Sequence, residues 1–282
     1  MGNQQQILKL TKTKQFKRKR STNQIANSVI VITGASSGIG RELALQYATR
    51  GVKLMLAARS EEELQQVCAL CEQLGSRAHY KITDVSKEED CKLLIEETVR
   101  IYNRIDIVVL NAGVNAHSFF EEFKDLSVFK KIMDVNFYGY VYCTKYALPH
   151  IRKSSGQFVV MSSISGEIGL PYRVPYCSSK FAVTGFFEAL RTELEDFNVA
   201  ITIVCPPSVR TPMRDHDLLK KHSPKDESED RITISECVSM ILDAADRRAR
   251  KIFFPFKAYM SVYVRPIFPD FVDKRLKQKA KL

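Results

Sequence analysis

The chain has 282 residues, 45% of them hydrophobic, which supports one large globular domain with a core of its own plus tails. Its net charge of +11 resides in two arms: residues 1–20 hold seven Lys or Arg and no acid, and residues 274–282 hold five and no acid. Without those twelve, 31 basic residues face 32 acidic ones. Seven cysteines scattered through apolar segments argue against a disulfide framework and for a reduced intracellular protein, and no run reaches the roughly 18 apolar residues of a spanning helix.

The first element after the basic arm is a β-branched run, Ser28 to Thr33, read as a buried strand. A glycine-rich turn follows, Gly34-Ala35-Ser36-Ser37-Gly38-Ile39-Gly40, then a helical pattern from Glu42 to Arg50 closed by Gly51. Strand and helix then alternate. Strands are expected at 52–58, 78–83 and 105–110, and helices at 60–74 and 86–102, the first of these with Ser60-Glu61-Glu62-Glu63 as a capping box. Cys68 and Cys71 have CxxC spacing, but they fall on the apolar face of that helix and read as packing, with no metal site implied. A long helix over 127–153, a strand at 157–161, a helix after Pro175, a strand at 199–204, a helix over 235–248 and a strand at 251–254 complete the pattern. Such alternation of helices with nearly unbroken apolar strands predicts an α/β fold, its parallel sheet buried on both faces. Residues 212–231 are mostly charged and read as a lid or loop. The expected organisation is therefore an arm at 1–25, a catalytic domain at 26–254 and a terminal segment at 255–282.

Two constellations carry chemistry. Gly34-x-x-x-Gly38-x-Gly40 lies between a strand and a helix, the setting in which glycines let the backbone approach a pyrophosphate at a helix N-terminus. Tyr176 and Lys180 are four residues apart on a predicted helix, so both side chains leave one face. A cation beside a phenol favours the phenolate and brings a weak base toward working range. Ser163 ends the strand at 157–161, which directs its hydroxyl toward the same point.

Over about residues 26–254 the chain resembles the classical short-chain dehydrogenases/reductases. The matching elements are Thr33-Gly34-x-x-x-Gly38-Ile39-Gly40, Asp84-Val85, Asn111-Ala112-Gly113, Asn136, Ser163, Tyr176-x-x-x-Lys180 and Pro206-x-x-Val209-x-Thr211. The resemblance implies a single doubly wound Rossmann-type domain with a seven-stranded parallel sheet in the order 3-2-1-4-5-6-7. It also implies a catalytic set of Asn136, Ser163, Tyr176 and Lys180, with Tyr176 as acid/base, Ser163 orienting the substrate oxygen and Asn136 holding a relay water. Gly34, Ser36, Ser37, Gly38, Ile39 and Gly40 would hold the pyrophosphate, Asp84 and Val85 the adenine, and Asn111, Ala112 and Gly113 the adenosine wall. Lys180, Val209 and Thr211 would complete the dinucleotide site. The chain departs from the family pattern at Leu110, where an asparagine is usual, and at Pro207, where the family has glycine.

Within the family the chain looks most similar to 11-beta-hydroxysteroid dehydrogenases, steroleosins and the dehydrogenase/reductase member-7 group, through Pro171-Tyr172-Arg173, Gly185-Phe186-Phe187 and an aromatic C-terminal stretch. The paired prolines at 206 and 207 also resemble 3-ketosphinganine reductase. The expected substrate is an apolar steroid-, retinoid- or lipid-like alcohol or carbonyl, with Ser163, Ile164, Ile168, Leu170 and Met213 on the pocket wall. Arg59 at the end of the second strand, with no acid there, favours NADP(H) over NAD(H).

The stretch from Phe253 to Val272 is rich in aromatics and leads into Lys274, Arg275, Lys277, Lys279 and Lys281. That sequence suits a peripheral anchor on a membrane or lipid-droplet surface, with the catalytic domain in the cytosol, as on endoplasmic reticulum. A flap and a homodimer contact are its other readings. A non-catalytic membrane scaffold is the alternative function, and no nucleic-acid partner is expected from an arm without interleaved aromatics.

Overall fold

The computed structural model describes residues 25–214, 217–219 and 231–280. Apart from Ile25, the basic arm lies outside these residues, as does most of the 212–231 segment. Seven parallel strands form one sheet: β1 (Val29–Thr33), β2 (Lys53–Ala58), β3 (Arg77–Ile82), β4 (Ile107–Leu110), β5 (Gln157–Met161), β6 (Ala200–Cys205) and β7 (Lys251–Phe253). Their order is β3-β2-β1-β4-β5-β6-β7, as the resemblance implies.

Every residue of β1, β4, β5 and β6 is buried, which is why their apolar runs do not alternate. One face is covered by α1 (Gly38–Ala48), α2 (Glu61–Gln73) and, later in the chain, Ile234–Asp246. The other is covered by α3 (Glu88–Tyr102) and two helices introduced below. The edge strand β3 stays largely half-buried, consistent with its mixed sequence, Arg77-Ala78-His79-Tyr80-Lys81-Ile82.

Several local expectations change. Helix α1 begins at Gly38, a turn before the apolar pattern starts, because the glycine turn itself opens the helix. Ser60 caps α2 by position but its side chain makes no capping bond, so the expected capping box does not form there. The box occurs instead at Thr233 and Glu236, where each side chain bonds the other's backbone N–H at the start of α7 (Ile234–Asp246).

The expected helix over 127–153 is two helices, α4 (Ser127–Met133) and α5 (Gly139–Ser154), joined by one π-helical turn at Asp134–Tyr138. Helix α6 runs Val174–Glu193 with Pro175 in its first turn. In the terminal segment Pro255 precedes α8 (Phe256–Val264), Pro266 follows its end, and Pro269 begins α9 (Pro269–Ala280).

Candidate active site

The sheet order reverses between β1 and β4, so the loops leaving their C-terminal ends part and leave a crevice. Thr33, the last residue of β1, holds that crevice together. Its hydroxyl donates to the Val109 carbonyl at 3.3 Å and accepts from the Asn111 and Ala112 N–H groups at 3.0 and 3.2 Å. The Asn111 amide in turn donates to the Thr33 and Gly34 carbonyls at 3.0 and 3.2 Å. Asn111 therefore shapes the glycine turn from behind.

The turn is built for close approach. A Cβ on Gly40 would stand 2.1 Å from the Gly34 carbonyl oxygen, and Gly34 has φ +66° with Ala112 Cα 2.8 Å from where its Cβ would be. Ser37 is the N-cap of α1, its side chain makes no cap bond, and the helix has no acid in its first turn. The N-terminal N–H groups are thus turned toward the crevice with nothing negative beside them, which fits a dinucleotide pyrophosphate. Ser36 and Ile39 flank this cradle, both half-buried, and the Thr211 side chain leans over it at Gly38.

The remaining residues expected at the dinucleotide have the following surroundings. Val85 is buried against Gly139 at the start of α5, and Val209 packs on the core beside its bridge to Ile232. One Asp84 carboxylate oxygen is taken by the backbone and hydroxyl of Ser86. Arg59 is exposed just past β2, and Gly113 faces Asn136 and Met213.

The catalytic candidates converge at the end of β5. Ser163 caps a short 3-10 turn, accepting from the Ser165 N–H at 3.1 Å, and its hydroxyl is hydrogen-bonded to Tyr176. The buried Lys180 ammonium donates to the Met161 carbonyl at 2.7 Å and lies 5.7 Å from the centre of the Tyr176 ring. Asn136 sits in the π-helical turn, wholly buried. Its amide oxygen accepts from Val114 N–H at 2.8 Å, and its nitrogen donates to the Val114 carbonyl and the Ser179 hydroxyl, each at 3.0 Å. Ser179 donates to the Tyr176 carbonyl at 2.8 Å, so Asn136 ties the loop after β4 to the helix that carries the tyrosine. The π turn gives that tie a cause, since one extra residue per turn rotates Asn136 inward.

Burial pushes the Tyr176 phenol above its ordinary value, against the pull of the Arg173 guanidinium and the Ser163 hydrogen bond. Burial likewise lowers Lys180, to about 7. The expectation of a phenol brought down by its lysine neighbour thus meets two groups both pressed toward neutrality, with Arg173 as the cation acting on the tyrosine.

Of the expected pocket residues, Ile168 is buried while Ile164, Leu170 and Met213 are half-buried. The wall also holds charge that the sequence reading missed. Residues 217–219 pair with the loop after β4 through Leu218 N–H to the Asn115 carbonyl and His117 N–H to the Leu219 carbonyl, both 2.9 Å. This buries the Asp217 carboxylate against His117 Nδ1, with side-chain exposures of 2% and 1%. A cavity of about 490 Å³ lies elsewhere, between α1, α7 and β7, and is lined by none of the catalytic candidates.

With this geometry in hand, comparison with known proteins decides the family. The short chain dehydrogenase family model matches residues 28–221. The chain belongs to the short-chain dehydrogenases. It is accordingly an oxidoreductase acting on CH–OH groups. It is 36% identical to 11-beta-hydroxysteroid dehydrogenase A of Arachis hypogaea over 263 residues, covering 89% of this chain and 75% of that one. The protein of the same name from Sesamum indicum is 44% identical over 186 residues, 66% of this chain and 53% of that protein's length. A dehydrogenase/reductase SDR family protein 7-like of Dictyostelium discoideum is 34% identical, covering 91% and 83%. Among solved structures, a short-chain dehydrogenase from Burkholderia phymatum in complex with NAD aligns with TM-score 0.78 at 23% identity, covering 88% and 95%. An alcohol dehydrogenase from Thermococcus sibiricus complexed with 5-hydroxy-NADP aligns at 0.72 and 25%, covering 80% and 95%.

Proposed function

We propose that this dehydrogenase interconverts an alcohol and a carbonyl on an apolar, steroid-, retinoid- or lipid-like substrate, with NADP(H) held across the β1/β4 crevice. The observation that carries the reading is the convergence of Ser163, Tyr176 and Lys180 at the end of β5, on the carboxyl edge of the sheet that also bears the glycine cradle. When bound, the dinucleotide supplies or accepts the hydride. In reduction Tyr176 gives its phenolic proton to the carbonyl oxygen while the Ser163 hydroxyl holds that oxygen; in oxidation the proton returns to Tyr176. Lys180, already donating to the Met161 carbonyl, is placed to bond ribose hydroxyls. Support for NADP(H) over NAD(H) is Arg59 just past β2 with no acid beside it to repel a 2′-phosphate. The test is loss of reduced-nicotinamide absorbance when purified protein meets NADPH or NADH and a panel of steroid, retinoid and long-chain carbonyls. Turnover of none of them refutes the reading.

The same proposal places the enzyme on a membrane or lipid-droplet surface. Helix α8 packs back on β7 through Phe253, whose ring lies 6.1 and 6.0 Å from Tyr259 and Tyr263. Beyond that contact Phe256 (74%), Ile267 (70%), Phe268 (61%) and Phe271 (58%) are exposed, beside the basic residues of α9. An apolar patch next to cations matches the chemistry of an anionic bilayer interface. Among the described residues no helix is long and apolar enough to cross a membrane.

A further inference from the structure

Arg173, the last residue of the Pro171-Tyr172-Arg173 run, is a charged side chain near Tyr176 to which the proposed mechanism gives no role. It is the N-cap of α6, its carbonyl accepting from the Cys177 N–H at 2.7 Å, and it stands three residues before Tyr176. Its backbone is not helical, at φ −119° and ψ 29°, but its guanidinium lies near enough to act on the Tyr176 phenol.

The opposite wall fixes what lies around that guanidinium. Ser118 N–H donates to the Tyr172 carbonyl at 3.0 Å and the Phe119 and Tyr172 rings meet edge-on at 4.7 Å, which binds the loop after β4 to the residue next to Arg173. That loop carries His117, and His117 holds Asp217. Arg173 thus faces a carboxylate already committed to another partner. Its own guanidinium, half-buried, donates no hydrogen bond and joins no ion pair among the described residues. Asp217 still favours its charge and Arg231 opposes it, both without a hydrogen bond to the guanidinium.

A guanidinium taken partly out of water with none of its donors bonded is costly. It has five donors in a planar fork that matches an oxyanion. We infer that Arg173 is a substrate-recognition residue, and that the substrate carries an acidic oxyanion group beside its reacting carbonyl, held by the Arg173 fork while the apolar remainder lies against Ile164, Leu170 and Met213. This rests on the proposed function and narrows its substrate class from apolar to amphipathic and acidic. No covalent step is added, because the acidic group only positions the carbonyl at Tyr176 and Ser163.

The probe is a matched pair: a long-chain keto acid and its methyl ester, with NADPH, for wild type, Arg173→Gln and Arg173→Lys in the full-length chain. The quantity read is the ratio of kcat/KM for acid over ester within each protein. It is insensitive to any change in the amount of folded enzyme and to any change in Tyr176 common to both substrates. The ratio should favour the acid in wild type, fall by about ten- to a hundred-fold in Arg173→Gln, and be partly restored in Arg173→Lys, since one charge-assisted contact is at stake. Equal losses for acid and ester, with a shifted pH profile of kcat, would show that Arg173 acts only on the tyrosine and would overturn the inference while leaving the proposed function standing. A wild type that turns over the ester but not the acid also overturns it. A wild type that turns over neither, while reducing another carbonyl of the panel, overturns the inference and leaves the proposed function standing.

Discussion

Gly40→Ala is the sharpest test of the cofactor cradle, because the cost can be worked from positions on both sides of the turn. The new Cβ would sit 2.1 Å from the Gly34 carbonyl oxygen and 2.6 Å from the Asn111 amide nitrogen. A carbon–oxygen contact needs roughly 3.3 Å, so either the turn or the start of α1 must move by about 1 Å. Neither is free: Gly34 O and Asn111 are hydrogen-bonded to each other, and Asn111 N–H is held by Thr33. Such overpacking costs about 1–3 kcal/mol of stability. Moving the N–H groups at the N-terminus of α1 off the pyrophosphate removes at least one charge-assisted hydrogen bond, so dinucleotide affinity should fall by about ten- to a hundred-fold. Gly185→Ala is the control. It lies within α6 with nothing within 4 Å of its added Cβ, and should stabilise by about 0.5–1 kcal/mol without touching affinity. Urea denaturation gives the stabilities, and titration followed by reduced-nicotinamide emission gives the affinities, in a chain with no tryptophan to interfere. Wild-type dinucleotide affinity in Gly40→Ala would refute the cradle.

Tyr176→Phe should keep dinucleotide binding and lower turnover by about 10²- to 10⁴-fold, the usual contribution of a positioned proton donor; single-turnover kinetics at wild-type rate would remove Tyr176 from the mechanism. Arg59→Ala should weaken NADPH about ten- to a hundred-fold while leaving NADH nearly unchanged, and calorimetric titrations showing equal losses would make the arginine structural. Burial lowers Lys180 to about 7, below its unfolded value near 10.4. Between those values the folded state binds fewer protons than the unfolded one, so the lysine's penalty is full below about pH 7 and is relieved as pH rises. In cofactor-free protein the stability difference between wild type and Lys180→Met should therefore move in the wild type's favour from about pH 6 to about pH 9, and a pH-independent difference contradicts the lowered value. Truncation after Phe254 should release the protein from anionic liposomes, whereas salt alone should release it only in part because burial of aromatic rings is not screened; full-length protein that fails to co-sediment at low salt speaks for a flap or dimer contact.

The parts of this molecule that were legible in its sequence are those where a local rule and the tertiary fold agree. Val29 to Thr33, Gln157 to Met161 and Ala200 to Cys205 are apolar because they are buried on both sheet faces, so composition alone announces them. The glycine turn and the Tyr176/Lys180 spacing are likewise local. What was not legible depends on contacts between distant segments. Nothing around Asn136 signals a π turn, and the bonds that the turn allows, to Val114 on one side and Ser179 on the other, join segments distant in sequence. Ser60 satisfied every local requirement for a capping box and did not form one, whereas Thr233 did.

The charged wall of the pocket has the same origin and a larger consequence. Asn115 and His117 lie about a hundred residues before Asp217, and each is unremarked in its own neighbourhood. Only the pairing of Leu218 with Asn115 and of His117 with Leu219 brings the carboxylate out of solvent and onto the imidazole. With Asp217 bonded to His117, that carboxylate acts on Arg173 without a hydrogen bond to it, and Arg173 stays a half-buried cation three residues from Tyr176. The fold is shared with chains at 23–25% identity, with TM-scores of 0.72–0.78. His117 and Asp217 lie outside the sequence motifs, and Arg173 belongs to the Pro171-Tyr172-Arg173 run, which by itself assigns it no role. The choice of substrate therefore has to be argued from charge placed by this chain's own loop pairing, which is why the acid/ester ratio at Arg173 tests more than a list of matched residues does.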